Sequence, residues 1–235
     1  MNRVFITGDT HGNTVGEMSR FNSKNFKEGK ELDKNDYVII TGDFGFIFNN
    51  NQTNEEKYWL KWMKDKPWSW ATLDGNHENF NLLWSLPKAE MFDNEVRVIE
   101  NDIYYLQRGY DYTIGNRKFF VFGGARSSDK ERRIEGISWW KDEEPNYSDY
   151  KKALETLEKI NYTCDYVLTH ETASFIRNKI VSRLFREDDY QLVKFLNEIL
   201  PKMNFKHHYF GHYHIDETID GKHTCSYDKI HELEQ

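Results

Sequence analysis

The chain lacks most of what marks a secreted, membrane-spanning or duplex-binding protein. Only two of its 235 residues are cysteine, Cys164 and Cys225. That is too few for a disulfide framework, so both are expected to be small core residues. The stretch from Met1 to Asp9 turns polar within a few residues, so no signal peptide is expected. No apolar run approaches the roughly 20 residues that cross a bilayer. A cytoplasmic protein without membrane attachment is the default expectation. A basic excess is missing too, since 32 Lys and Arg against 39 Asp and Glu leave a net charge of −7. Attraction to duplex nucleic acid needs a basic footprint, so no duplex DNA partner is expected. A small phosphorylated molecule or nucleotide held by local cations stays open. The four prolines lie in no Gly/Ser-rich linker, and residues 1–235 read as a single domain.

Aromatic residues are abundant, with 7 Trp, 14 Tyr and 16 Phe. Together with recurring β-branched runs they exclude a disordered chain. Several of these runs end in glycine followed by polar residues. Val4-Phe5-Ile6 leads to Gly8-Asp9, Tyr37-Val38-Ile39-Ile40 to Gly42-Asp43, and Trp70-Ala71-Thr72-Leu73 to Gly75-Asn76-His77. Each reads as a buried strand that delivers polar residues from its C-terminal end. Helices are expected over roughly 14–26, 55–64 and 79–86, which gives the alternation of an α/β sheet. The second half looks more antiparallel. Gly115-Asn116 joins 110–114 to 117–122 as a hairpin, and Asp220-Gly221 marks another near the end. Helical spacing appears over 147–161, and an acidic turn is expected to open a helix over 188–200. Short strands are expected at 166–168 and 206–210.

The strand ends carry an ordered set: Asp9-Thr10-His11, Gly42-Asp43, Gly75-Asn76-His77-Glu78, His170, and Gly211-His212-Tyr213-His214. Carboxylate, imidazole and amide groups without thiolate suit borderline divalent ions such as Mn, Fe, Zn, Ni or Co. Residues two apart on an extended segment point to one face, so Asp-x-His and His-x-His each offer a pair of donors. A lone His is usually a core or surface residue, but five such blocks in one order are not a chance pattern.

These blocks resemble the calcineurin-like metallophosphoesterase superfamily, whose pattern runs D-x-H, G-D, G-N-H-[D/E], H and G-H-x-H, here from Asp9 to His214. The resemblance implies an α/β fold, a four-layered α/β-β/α sandwich of mixed sheets, with two divalent metal ions about 3.5–4 Å apart at strand C-terminal ends. It implies that Asp9, His11 and His214 hold one metal, that Asn76, His170 and His212 hold the second, and that Asp43 bridges both. His77 is then the catalytic histidine beside the phosphoryl group. The implied activity is hydrolysis of a phosphomonoester or phosphodiester by in-line attack of a metal-bridging hydroxide, with His77 assisting the leaving group. Two cations suit that chemistry because they neutralise the phosphoryl oxygens and lower the pKa of water.

One departure narrows the branch. The phosphoprotein phosphatases continue the second block as G-D-x-x-D-R-G, whereas Phe46 and Ile47 stand at the acidic and arginine positions here. The usual phosphate-gripping arginine and the acid that orients the histidine are both missing. Asp74 and Glu78 are alternative partners for His77. Arg126, following Gly123-Gly124, is the candidate substrate-binding residue, while Arg132 and Arg133 read as a solvated charged loop. The stretch 123–146 is a candidate lid. Phe44, Phe46 and Phe48 alternate and either line the core or stack a base. His207 and His208 read as ordinary strand residues, and His223 and His231 as surface residues. A Ser/Thr phosphoprotein phosphatase, a nuclease, and a scaffold without turnover are the alternatives; the scaffold would show degenerate ligands, and none is degenerate.

Overall fold

A computed structural model describes residues 2–12, 14–181 and 189–234. Short buried runs build two sheets. In the first, β1 (Val4–Thr7), β2 (Tyr37–Ile40), β3 (Ser69–Thr72) and β6 (Ile103–Leu106) run parallel. β5 (Asn94–Glu100) and β4 (Lys88–Met91) extend that sheet antiparallel, and β13 (His231–Glu232) closes its other edge against β1. In the second, β8 (Arg117–Phe122), β9 (Tyr166–Thr169), β10 (His207–Phe210) and β12 (His223–Cys225) run parallel. β7 (Tyr110–Ile114) and β11 (Glu217–Ile219) flank them antiparallel. Both hairpins read from the sequence form at the expected residues.

Successive side chains on a strand face opposite ways, and this sorts the core into layers. Val4, Ile6, Ile39, Phe119, Val121 and Leu168 meet between the sheets. Phe5, Val38 and Ile40 face outward onto Met18, Phe21, Leu60 and Met63. Phe120, Phe122 and Val167 face the other way, onto Ala153, Leu157, Leu192 and Leu196. The result is helix, sheet, sheet, helix, the four-layered α/β sandwich with mixed sheets. The helices are α1 (Thr14–Glu17), α2 (Asn54–Lys64), α3 (Phe80–Ser85), α4 (Tyr147–Lys159), α5 (Ser174–Ile180) and α6 (Gln191–Ile199). Capping boxes start α2, at Thr53 with Glu56, and α4, at Asn146 with Asp149. Cys164 and Cys225 are free and buried, and no described helix is long and apolar enough to cross a membrane.

One expectation needs correction, one lies partly outside the described residues, and one set of strands went unread. The helix expected over 14–26 is only α1 followed by a 3-10 turn, Met18–Phe21. Arg20 turns inward onto the carbonyls of Gly8 and Asp9, and Asn22 Oδ1 accepts from the amides of Lys24 and Asn25, which ends the helix. The acidic turn expected to open α6 includes Asp188, which lies outside the described residues; the helix itself begins at Gln191. The meander of β4, β5 and β6 went unread, because charged residues such as Lys88, Glu90, Glu95 and Arg97 mask the alternation at a sheet edge.

Candidate metal centre

Parallel strands end on one edge, so the polar blocks that follow them converge. Asp9 follows β1, Asp43 follows β2, Asn76 and His77 follow β3, His170 follows β9, and His212 and His214 follow β10. The first two loops are pinned together by the amides of Thr10 and His11, both donating to Asp43 O at 3.0 and 2.7 Å. Four residues of the blocks, His11, Asp43, His212 and His214, have φ between 48° and 70°. Such left-handed conformations each cost on the order of 1 kcal/mol or more in a non-glycine residue and cluster at functional sites. Gly42 permits a close approach: a Cβ there would lie 2.3 Å from His170 Nδ1.

Three groups of donor atoms gather within 4.8 Å: Asp9, His11 and His214; His11, Asp43 and His77; and Asp9, Asp43 and His170. Asp9, Asp43 and His170 are fully or almost fully buried. Asp43 stands between the halves, with Oδ2 3.3 Å from His11 Nε2 and Oδ1 3.4 Å from His170 Nε2. Its Oδ1 also accepts from the amides of Asn76 and His77 at 2.8 and 2.9 Å. Asp9 Oδ2 lies 3.2 Å from His214 Nε2 and accepts from His212 N at 3.1 Å. Asn76 Oδ1 is 3.3 Å from His170 Nε2. His212 is the least converged member, for its Nε2 faces Glu171 Oε2 at 4.0 Å.

The outer partners leave the inward nitrogens free for a cation. His170 Nδ1 donates to Thr41 O at 2.7 Å, which turns the Nε2 lone pair toward Asp43 and Asn76. His11 Nδ1 donates to Glu17 Oε1 at 3.2 Å, and Glu17 is itself held by Tyr227 Oη–H at 3.1 Å. Glu17 is a residue that no sequence block flagged. The donor set therefore fits two divalent ions in chemistry and in aim. Its electrostatics agree. Burial opposes charge on His170, yet Asp43 and Asp9 push its pKa up to about 10. Burial likewise opposes charge on His11, where Asp43 pushes the pKa up to about 9. Asp43 is held well below the usual carboxylate range, against its burial, by His170 and His11. Buried carboxylates thus demand positive charge, and protons compete with metal ions for the same imidazoles.

Beside the donors lies an open pocket of about 310 Å³ lined by Asp43, Asn76, His77, Ser128, Asp129, Arg133, His212 and His214. A larger groove past Arg20 and Asp228 contains none of the metal-centre residues. Neither candidate partner of His77 touches it. Asp74 is engaged by Arg108 Nε at 2.6 Å and by Tyr105 Oη–H at 2.7 Å. Glu78 accepts from the amides of Phe44 and Gly75, bracing two blocks. Arg133 takes that place: its Nη1 donates to His77 Nδ1 at 3.0 Å, and its Nε pairs with Asp129 Oδ1 at 2.7 Å. Arginine has no acceptor, so Nδ1 must accept, and neutral His77 carries its proton on Nε2. Burial and Arg133 together outweigh Asp43 and lower the pKa of His77.

Arg126 is directed elsewhere. Its guanidinium forms a fork on Glu144, with both bonds 2.9 Å, and stacks over Tyr190. The reading of Arg133 as a solvated loop residue is overturned by the same loop, which turns at Gly136 (φ 77°) and lets Arg133 reach inward to Ser138 O. Phe44 and Phe46 are buried in the core, and Phe48 packs on Trp140. His223 is buried, not a surface residue, and its Nδ1 meets His208 Nδ1 at 3.1 Å.

Comparison with known proteins adds two findings. A family described as calcineurin-like phosphoesterase matches residues 2–216. Among solved structures, phosphopantetheinyl hydrolase (PptH) from Mycobacterium tuberculosis is similar at 14% identity, with a TM-score of 0.45, over 97% of this chain and 90% of that one. No curated protein matches the sequence.

Proposed function

Because the chain belongs to the calcineurin-like phosphoesterase family and is a metal-dependent phosphoesterase, we propose that it cleaves a small phosphomonoester or phosphodiester at the centre built around Asp43. The observation that carries this reading is the position of Asp43, whose two carboxylate oxygens face His11 on one side and His170 on the other. In this reading Asp9, His11 and His214 hold one cation, Asn76, His170 and His212 hold the other, and Asp43 is shared. The cations supply positive charge for the phosphoryl oxygens and make water a competent nucleophile near neutral pH. The protein's own groups do the rest. Arg133, which lines the pocket, binds a phosphoryl oxygen, and His77 presents Nε2–H to the leaving oxygen as negative charge develops there. Arg126 braces the segment through Glu144 rather than gripping substrate. The middle core is shared by both sheets, which supports a single domain. Two free buried thiols suit a reducing, cytoplasmic setting.

The test is hydrolysis of an aryl phosphate and a bis-aryl phosphodiester by protein loaded with Mn, Ni, Zn or Mg. Asp43→Ala is expected to abolish turnover. His77→Ala is expected to lower kcat by about 10²–10³-fold, as for loss of a hydrogen-bond donor to charge that develops in the transition state. Unchanged turnover in either folded variant would overturn the reading. Failure to take up any transition metal, even with excess Mn, would favour a scaffold instead.

A further inference from the structure

Glu143 is a completely buried carboxylate that the proposed reaction does not use. Both of its oxygens are engaged by one residue: Ser127 N donates to Oε1 at 2.8 Å and Ser127 Oγ–H donates to Oε2 at 2.6 Å. A hydroxyl has a single proton to give. With that proton spent on Glu143, Ser127 Oγ can only accept from its remaining neighbour, the side-chain amide of Asn76 at 3.1 Å. The nitrogen of that amide is therefore fixed at Ser127, and its oxygen is turned to the opposite side, 3.3 Å from His170 Nε2. An amide is nearly symmetric in shape, so without such a chain its nitrogen and oxygen could exchange places. Exchange would point N–H donors at a cation.

The chain is itself anchored. Gly124 N donates to Asp74 O at 2.9 Å, just ahead of Gly75-Asn76, and Arg108 joins Asp74 to the carbonyls of Asp142 and Glu143. Ser127 and Glu143 thus sit near opposite ends of the segment 123–146, which also carries Arg133. We propose that Ser127 and Glu143 are positioning residues that lock the Asn76 amide with its oxygen toward the metal centre, and so make the strength of one metal site depend on this segment. The inference rests on the dinuclear reading above.

The test measures metal binding, not turnover. Purified protein is stripped with chelator, titrated with Mn or Zn, and its metal content read by elemental analysis alongside calorimetry. Wild type is expected to bind two ions. Ser127→Ala is expected to weaken one of them about 10–100-fold, the usual effect of losing an outer partner of a ligand, while the ion at Asp9, His11 and His214 is retained. Ser127→Thr, which keeps the hydroxyl, is expected to restore both. A carboxylate has no wrong orientation, so in an Asn76→Asp background the Ser127→Ala effect is expected to vanish; a merely structural role for Ser127 would leave it unchanged. Glu143→Gln, which keeps the volume and one acceptor, serves if Ser127→Ala does not fold and is expected to weaken the same ion. Wild-type affinity for two ions in Ser127→Ala or in Glu143→Gln would overturn the proposal. A wild type that binds no ion would instead overturn the dinuclear reading on which it stands.

Discussion

Arg126 and Arg133 lie in one segment, seven positions apart, and meet opposite fates. Sequence reasoning favoured Arg126 because a glycine pair precedes it, but its fork is matched by Glu144, eighteen residues on. No local pattern reveals that pairing. Arg133 has Nε on Asp129 and Nη1 on His77 Nδ1 and Ser138 O, which leaves Nη2 with no hydrogen-bond partner among the described residues. A charged hydrogen bond contributes about 1.5–3 kcal/mol. Arg133→Ala is therefore expected to lower kcat/KM by about 10–100-fold at saturating metal, by the same reckoning. Arg133→Lys should recover only part of it, since a lysine cannot present a planar fork. Arg126→Ala should leave kcat/KM close to the wild-type value. Steady-state kinetics on one aryl phosphate distinguishes the two, and a loss confined to Arg126→Ala would reverse the assignment. The residues of the candidate metal centre were legible because all but His170 sit in short polar blocks at strand ends, and His170 itself directly follows the end of β9. The polar partners around them, Glu17, Ser127 and Glu143, were not, since each is a single polar residue away from any strand end.

At the scale of elements, short β-branched and aromatic runs made the central strands of both sheets readable, and the glycine that follows β1, β2, β3 and β10 marked where chemistry begins. The edge meander was hidden by its charges, and α1 by a buried arginine that sequence cannot distinguish from an exposed one. The glycines after the strands also yield a prediction. The backbone at Gly75 is not left-handed, so alanine is conformationally allowed there. Its Cβ, however, would lie 2.1 Å from Asp43 Oδ1 and 2.7 Å from His170 Nε2, far inside contact distance. The loop must shift, and Asp43 with it. Gly75→Ala is expected to lose metal stoichiometry and turnover together while keeping the far-ultraviolet circular dichroism of the folded chain. Full metal loading in that variant would show that Asp43 tolerates displacement.

On the scale of the whole molecule, a net charge of −7 coexists with a centre that demands cations, because Asp9 and Asp43 concentrate negative charge where the two sheets deliver their strand ends. Stability couples to pH through a second group of buried histidines, His208 and His223, which are not among the donors of that centre. Thr169 Oγ1–H donates to Glu171 O, so Thr169 Oγ1 accepts from His208 Nε2 at 2.9 Å. His208 Nδ1 must then accept, and His223 Nδ1–H donates to it. Both rings are neutral in this chain. Burial, then Lys222 and His207, push the pKa of His223 down to about 4, and burial pushes His208 well down. In the unfolded chain histidine binds its proton near 6.5. The unfolded state therefore takes up protons first as pH falls. The stability that neutral His223 maintains is complete above about pH 6.5 and is lost as pH drops from there toward 4. Between pH 7 and 5 the loss from this one group is about 2 kcal/mol. His223→Asn places an N–H donor where Nδ1–H stood, without a titrating ring. Urea unfolding in chelator at pH 7 and 5 should show wild type losing about 2 kcal/mol more than His223→Asn. Comparing the two proteins cancels the opposite contribution of His11 and His170, whose raised pKa values favour the metal-free fold at low pH. Equal losses would mean that the His208–His223 pair opens and is solvated before the fold gives way.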